Sequence, residues 1–277
     1  LGARLGVRLC ERSTRRMVLT EAGGRHLSRL QAAVGDLDEA LAGVSHRPAR
    51  LDGHLRVKVP TTLNALYFGA MLVDFQQLHP HLSMEVVVVD RLVNPQLQGF
   101  DVAVGATPGA FGDVVEIGLA PLQRVLAAAP DYLQARGRPL SPRDLLRHDI
   151  LSFQPTGHEW SFESARGPVA VKLEPRLSSN DAQLLLRAAL KGQGVTWLSA
   201  YLLAPHIRSG ALVALLEDWS APEFWVHLLV PESKVHTARV QALVEYLRAC
   251  FTPQPPWEVG AGVAAGGAAE AAGAVSA

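Results

Sequence analysis

Cysteine is scarce in this chain. Cys10 and Cys250 stand near opposite ends, with no Cys-x-x-Cys pair between them, which excludes a disulfide framework and a zinc ribbon. The 10 histidines fall into no metal-ligand spacing, so no metal and no cofactor is expected. Long apolar runs are missing as well: none approaches the ~20 residues that a bilayer span requires. The arginine-rich start is not followed by the apolar stretch of a signal peptide. A reducing cytoplasm is therefore the expected compartment, with no membrane partner. Catalytic signatures are absent too. There is no Gly-x-Ser-x-Gly elbow, no phosphate-binding loop and no His-Glu-x-x-His, so no catalytic residue is assigned and an enzyme is not expected. The glycine-rich run 260–266 follows no strand and is set aside as a dinucleotide loop.

What is present is unevenly distributed. Net charge is zero over 277 residues, yet seven arginines stand against Glu11 and Glu21 in the first thirty, leaving a local excess of five positive charges. An anionic partner for this arm, and not for the body, is the implication, with a solvated arginine cluster as the plain alternative. From Thr20 onward, Leu27, Leu30, Val34, Leu37, Leu41 and Val44 recur at alternating spacings of three and four. That is the seam of a coiled coil, and it predicts a dimerising helix over 20–47. An amphipathic helix packed within one chain remains open, since the repeat is short. Pro48 should end the helix.

Beyond residue 54, strand-like and helix-like runs alternate: 55–59, 63–78, 84–89, 93–97 and 102–104, which predicts a parallel α/β sheet. A second series begins with a strand at 125–129 and runs through strands at 150–153, 160–163, 169–173, 176–178 and 195–198 and helices near 131–136, 142–146, 182–191 and 200–207. It returns to the first through 225–230 and 237–251. The reading is an α/β body of two lobes over 54–252, lobe I about 54–122 and 225–252, lobe II about 123–224. The remainder, 253–277, is glycine, alanine and proline with little charge, and is expected to be disordered.

The segment L-G-V-R-L-C-E-R-S-T-R-R-M-V-L-T-E-A-G, residues 5–23, resembles the wing and linker-helix start of LysR-type transcriptional regulators, departing at Cys10 where that family has phenylalanine. Further similarity runs through L-R-V-K-V-P (55–60), D-F-Q-Q-L-H-P (74–80), L-Q-G-F-D-V-A-V (97–104), A-P-D-Y-L (129–133), D-L-L-R-H (144–148) and G-Q-G-V (192–195). The resemblance implies a winged helix-turn-helix, a linker helix and a two-lobed effector domain like that of periplasmic binding proteins. It also implies that DNA, a small-molecule effector and further copies of the chain, as dimer or tetramer, are the partners. On this alignment residues 1–19 hold only the end of the recognition helix and the wing. An N-terminally truncated chain is therefore expected, and Arg12, Arg15 and Arg16 are left to meet the DNA backbone. A free-standing solute-binding protein of the same lobe architecture is the competing reading.

Ligands of open α/β sheets lie at the carboxyl ends of strands, where helix N-termini present N–H groups. In lobe I this singles out Thr61, Thr62 and Asn64 after the first strand and Arg91 after the second; in lobe II, Phe153, Asn180 and Asp181. Helix capping is the competing role for Thr61, Thr62, Asn180 and Asp181, a surface pair with Asp90 for Arg91, and core packing for Phe153. The expected effector is a small organic molecule, a carboxylate being one candidate, with Arg91 as its clamp.

Overall fold

The structure is a computed structural model and describes residues 10–12, 17–20, 51–106, 111–163, 167–219 and 224–258. At the start, β1 (Cys10–Arg12) and β2 (Met17–Leu19) form an antiparallel hairpin in which Cys10 pairs with Leu19 and Arg12 with Met17. Arg15, Arg16 and the whole predicted seam (Leu27, Leu30, Val34, Leu37, Leu41 and Val44) lie outside the described residues.

Two five-stranded sheets carry the body. The first is ordered β4-β3-β5-β14-β6, from β3 (Gly53–Val59), β4 (Leu82–Val88), β5 (Val102–Gly105), β6 (Val114–Leu122) and β14 (Phe224–Pro231). Alternation explains β3: Leu55, Val57 and Val59 are fully buried on one face, while His54 and Arg56 on the other remain partly exposed. Helix α1 (61–78) follows β3. It opens as Thr61–Leu63, passes through a π-helical segment Asn64–Phe68 and continues as Gly69–Leu78. Gly69 donates its N–H to the Asn64 carbonyl, an i to i+5 bond of the kind that marks a π-bulge. Leu63, Phe68, Leu72 and Phe75 of this helix enter the first core beside Val240, Leu243 and Leu247 of α6 (Ala238–Cys250). Between β4 and β5, α2 (Pro95–Gln98) is capped by Asn94, whose side chain accepts from the Leu97 N–H.

The second sheet is ordered β11-β8-β12-β7-β13. Its strands are β7 (Arg124–Ala128), β8 (Ile150–Phe153), β11 (Pro175–Ser179), β12 (Val195–Ser199) and β13 (Val213–Leu215). The hairpin β9 (Glu159–Phe162) and β10 (Val169–Lys172) packs over it. Helices α3 (Pro130–Arg136), α4 (Ala182–Leu190) and α5 (Ala200–Arg208) complete the lobe. The G-Q-G-V segment joins α4 to β12 for a backbone reason. Gly192 and Gly194 have φ of 68° and 157°, and a Cβ on Gly194 would sit 2.3 Å from the Asp149 carbonyl oxygen.

Neither sheet is wholly parallel, which corrects the expectation from strand and helix alternation. β14 runs antiparallel to β5 and β6, and β7 antiparallel to β12 and β13. Two strands, β6 and β13, had no counterpart in the sequence reading. Both lie at sheet edges, where a proline such as Pro121 is tolerated because the outer side of the strand needs no ladder bond. The chain leaves the first sheet at Leu122 and enters the second at Arg124, with Gln123 between them. A second correction concerns residues 253–258, expected to be disordered. Pro255 is buried, and Trp257 meets Tyr67, Tyr201 and Phe251 at ring-centroid distances of 5.6, 5.6 and 5.5 Å. The apolar rings of Phe251 and Trp257 offset the glycine- and proline-rich composition locally.

Candidate effector site

The carboxyl ends of the parallel strands of both sheets converge on one cleft. Pro60, Thr62 and Leu63 after β3, Asp90 after β4 and Ala106 after β5 form one wall; Phe153, Thr156, Ala182, Leu198 and Ser199 form the other. Leu122, Arg124 and Phe224, where the chain crosses between sheets, close its floor. The cleft holds about 60 Å³, far less than the roughly 300–1,000 Å³ typical of small-molecule sites.

Of the residues singled out in the sequence, Thr62 and Phe153 line this cleft, and the others do not. Thr61 is engaged by Asp90: its N–H and its hydroxyl donate to the two carboxylate oxygens at 2.9 and 2.6 Å. Asn64 begins the π-helical segment. Arg91 turns away and donates to Gln98 Oε1 at 3.0 Å. Asn180 is exposed, and Asp181 caps α4 by accepting from the Gln183 N–H at 2.9 Å. Thr61 and Asp181 therefore spend their oxygens on Asp90 and the α4 N-terminus.

The cation of the cleft is Arg124, which the sequence reading passed over. It is the first residue of β7, and its guanidinium lies 4.5 Å from the ring centre of Trp197 in the second lobe and 5.3 Å from that of Phe224 in the first. One nitrogen donates to the Trp197 carbonyl at 2.7 Å and to Thr156 Oγ1 at 3.3 Å. All of these partners are neutral. Among the described residues no carboxylate lies within ion-pairing distance; Asp90, on the cleft wall, accepts from Thr61, and Glu217 faces Arg138 at 3.8 Å. Part of the side chain remains accessible, yet burial of its charged end lowers the pKa to about 10, so the group stays cationic at neutral pH. A desolvated guanidinium without a counter-ion is costly unless an anion arrives. The only signal in the sequence is a single charge at the head of the apolar run V-L-A-A-A, too common a pattern to stand out.

A second buried cation, Lys58, is 3% exposed and donates to the Val104 carbonyl at 3.1 Å. Burial pushes its pKa down to about 8, partly countered by Asp90 and reinforced by Arg91. It is not among the residues lining the cleft. Tyr201, from α5, borders the cleft and packs against both cores, stacking edge-on with Tyr67 at 5.7 Å. Cys250 is a free thiol whose pKa is raised by burial, the opposite of a reactive thiolate. Among the described residues no cluster of His, Cys, Asp and Glu is arranged to hold a metal ion. No helix among them is long and apolar enough to cross a membrane.

Comparison with known proteins gives this architecture a family. Residues 48–251 match the LysR substrate binding domain. The HTH-type transcriptional regulator PtxR of Pseudomonas aeruginosa is 31% identical over 260 residues, covering 92% of this chain and 82% of PtxR. The HTH-type transcriptional regulator DmlR of Escherichia coli is 29% identical, covering 91% and 83%. Among solved structures, the full-length Vibrio cholerae virulence activator AphB superposes with a TM-score of 0.63 at 21% identity, over 90% of this chain and 86% of AphB. CrgA of Neisseria meningitidis gives 0.63 at 23%, over 91% and 86%. The family match over most of the chain and the identity to PtxR agree with the two-lobed fold and with the motifs at 5–23: the chain belongs to the LysR family of transcriptional regulators.

Proposed function

We propose that this regulator senses a small organic anion, which Arg124 recognises at the junction of the two lobes. The observation that carries this reading is the guanidinium itself, cationic, desolvated, and surrounded by a carbonyl, a hydroxyl and two aromatic faces. An incoming carboxylate supplies the charge-assisted bonds this group lacks. It also replaces Arg91 as the expected clamp, since Arg91 is directed to Gln98. Thr62 and Phe153 line the cleft on the lobe I and lobe II sides of Arg124. In this reading the chain acts in the cytoplasm as a regulator and not as a catalyst. Copies associate through the helix bearing Leu27, Leu30, Val34, Leu37, Leu41 and Val44, and Arg12, Arg15 and Arg16 meet DNA phosphates, contacts that position without reading sequence.

A panel of mono- and dicarboxylates screened by thermal shift, with hits titrated by calorimetry, tests the reading. Arg124→Gln should weaken a carboxylate ligand by about 1.5–3 kcal/mol, the range for a hydrogen bond to a charged group. The neutral amide of the same compound should lose a comparable amount against the unaltered chain. A carboxylate that binds the Arg124→Gln variant with unchanged affinity refutes the assignment.

A further inference from the structure

The cleft is too small for the body of an organic effector, but Arg124 also faces a second space. On its other side a groove of about 640 Å³ runs along the hinge, within the usual range for small-molecule sites. Leu122, Trp197 and Phe224 border both spaces together with Arg124, while Phe162, Leu215, Leu216 and Trp219 belong to the groove alone. At its inner end Phe162 and Trp197, 1% and 4% exposed, are stacked on each other at 4.6 Å with an interplanar angle of 2°, and the Arg124 guanidinium lies 4.5 Å from the Trp197 ring. The accessible aromatic surface of the groove is therefore that of half-buried Trp219 and Phe224. Its outer lip is built by a turn in which Leu216 has φ 51°, the one positive φ at a non-glycine among the described residues. The Trp219 N–H donates to the Leu216 carbonyl at 2.9 Å and holds Trp219 over the groove. Strain of this kind persists where the surroundings fix it and is common at ligand clamps.

We infer that the effector is an aromatic monocarboxylate whose ring lies in this hinge groove against Trp219, with its carboxylate on Arg124. The inference rests on the proposed role of Arg124 and adds the class of ligand and the side from which it enters. Aromatic walls favour a planar apolar body through offset and edge-on stacking, and the single cation at the inner end suits one carboxylate. Glu217 on the rim disfavours a second negative charge at the outer end, although Arg138 partly offsets it. A dicarboxylate is accordingly a poorer fit than an arylalkanoate.

The test uses the full chain with 3-phenylpropionate as probe, and acetate, succinate and 3-phenylpropanamide as comparisons, by calorimetry and by tryptophan fluorescence. The expected result is that 3-phenylpropionate binds at least thirtyfold more tightly than acetate or succinate. Trp219→Ala, which removes a groove wall without touching the cleft, should weaken it tenfold or more. Phe153→Ala, which enlarges the cleft alone, should change it by less than threefold. Circular dichroism melts establish that each variant is folded, and Arg124→Lys serves where Arg124→Gln is not. Equal binding of acetate and 3-phenylpropionate, or indifference to Trp219→Ala together with loss in Phe153→Ala, overturns the groove while the role of Arg124 stands. Unchanged binding in both Arg124 variants overturns that role as well. Failure of 3-phenylpropionate to bind at millimolar concentration overturns the groove assignment.

Discussion

Replacing Lys58 by methionine should stabilise the protein near neutral pH. The side chain is 3% exposed and, among the described residues, its ammonium has one hydrogen bond, to the Val104 carbonyl. Burial lowers its pKa from 10.5 to about 8, and at 1.36 kcal/mol per pH unit this corresponds to roughly 3 kcal/mol of destabilisation while the lysine is charged. Methionine has similar length and fills the same channel. Against the gain stands the lost hydrogen bond to Val104, about 1 kcal/mol, so the variant should be more stable by roughly 2 kcal/mol at pH 7. The pH dependence is the sharper test. Between about 8 and 10.5 the unfolded chain still holds the proton that folded Lys58 has released, so the stability of the unaltered protein rises with pH through that window. By pH 9.5 only about 1 kcal/mol of the penalty is left, and the advantage of Lys58→Met should shrink to near zero. Urea unfolding of both proteins at pH 7 and 9.5 measures this, and groups other than Lys58 cancel in the difference. A variant that is less stable at pH 7, or a difference that stays constant across the range, would show that the ammonium is better solvated than the geometry indicates.

Trp257→Ala should lower stability by about 2 kcal/mol, less than a fully buried tryptophan because the ring is only half-buried, and the melting temperature should fall by several degrees; an unchanged melting temperature would mean that the segment after α6 does not pack. Gly194→Ala should cost about 2 kcal/mol or more, since its Cβ meets a backbone carbonyl. Gly210→Ala, at φ 76° with open space around it, should cost only about 1 kcal/mol, and equal losses in the two variants would discount the clash at Asp149.

The elements legible in the sequence were those with a buried period. The runs at 55–59 and 195–198 correspond to β3 and β12, and those at 182–191 and 237–251 to α4 and α6, each within a residue or two. β6 hid because Gly118 and Pro121 interrupt its apolar residues, and an edge position permits both. β13 is three residues long and leaves no measurable alternation. The convergence of strand ends on a cleft was legible in the sequence, and most of the residues that line it were not. Strand ends do converge on the cleft, but the polar residues nearest them, Thr61 and Asp181, satisfy Asp90 and the α4 N-terminus first. Arg91 and Arg124 each sit beside an apolar strand, and only the fold decides which one turns inward.

On the proposed role of Arg124, its position also determines what an effector can do. A ligand shifts a conformational equilibrium only by its difference in affinity between the two states. A ligand confined to one lobe moves with that lobe and has little to distinguish them. Arg124 follows directly on Gln123, whose carbonyl accepts the N–H of Ala200 at the start of α5 at 2.8 Å, and its guanidinium touches Trp197 of one lobe and Phe224 of the other. An anion drawing the guanidinium toward itself competes with the 3.3 Å bond to Thr156 more readily than with the 2.7 Å bond to the Trp197 carbonyl. Release of Thr156 frees a lobe II contact at the mouth of the cleft, while the Phe224 face on lobe I stays engaged. The binding energy of the ligand is thereby spread unequally over open and closed arrangements, and a tenfold difference in affinity, about 1.4 kcal/mol, is enough to turn an evenly populated hinge into a state detectable at the DNA-binding end.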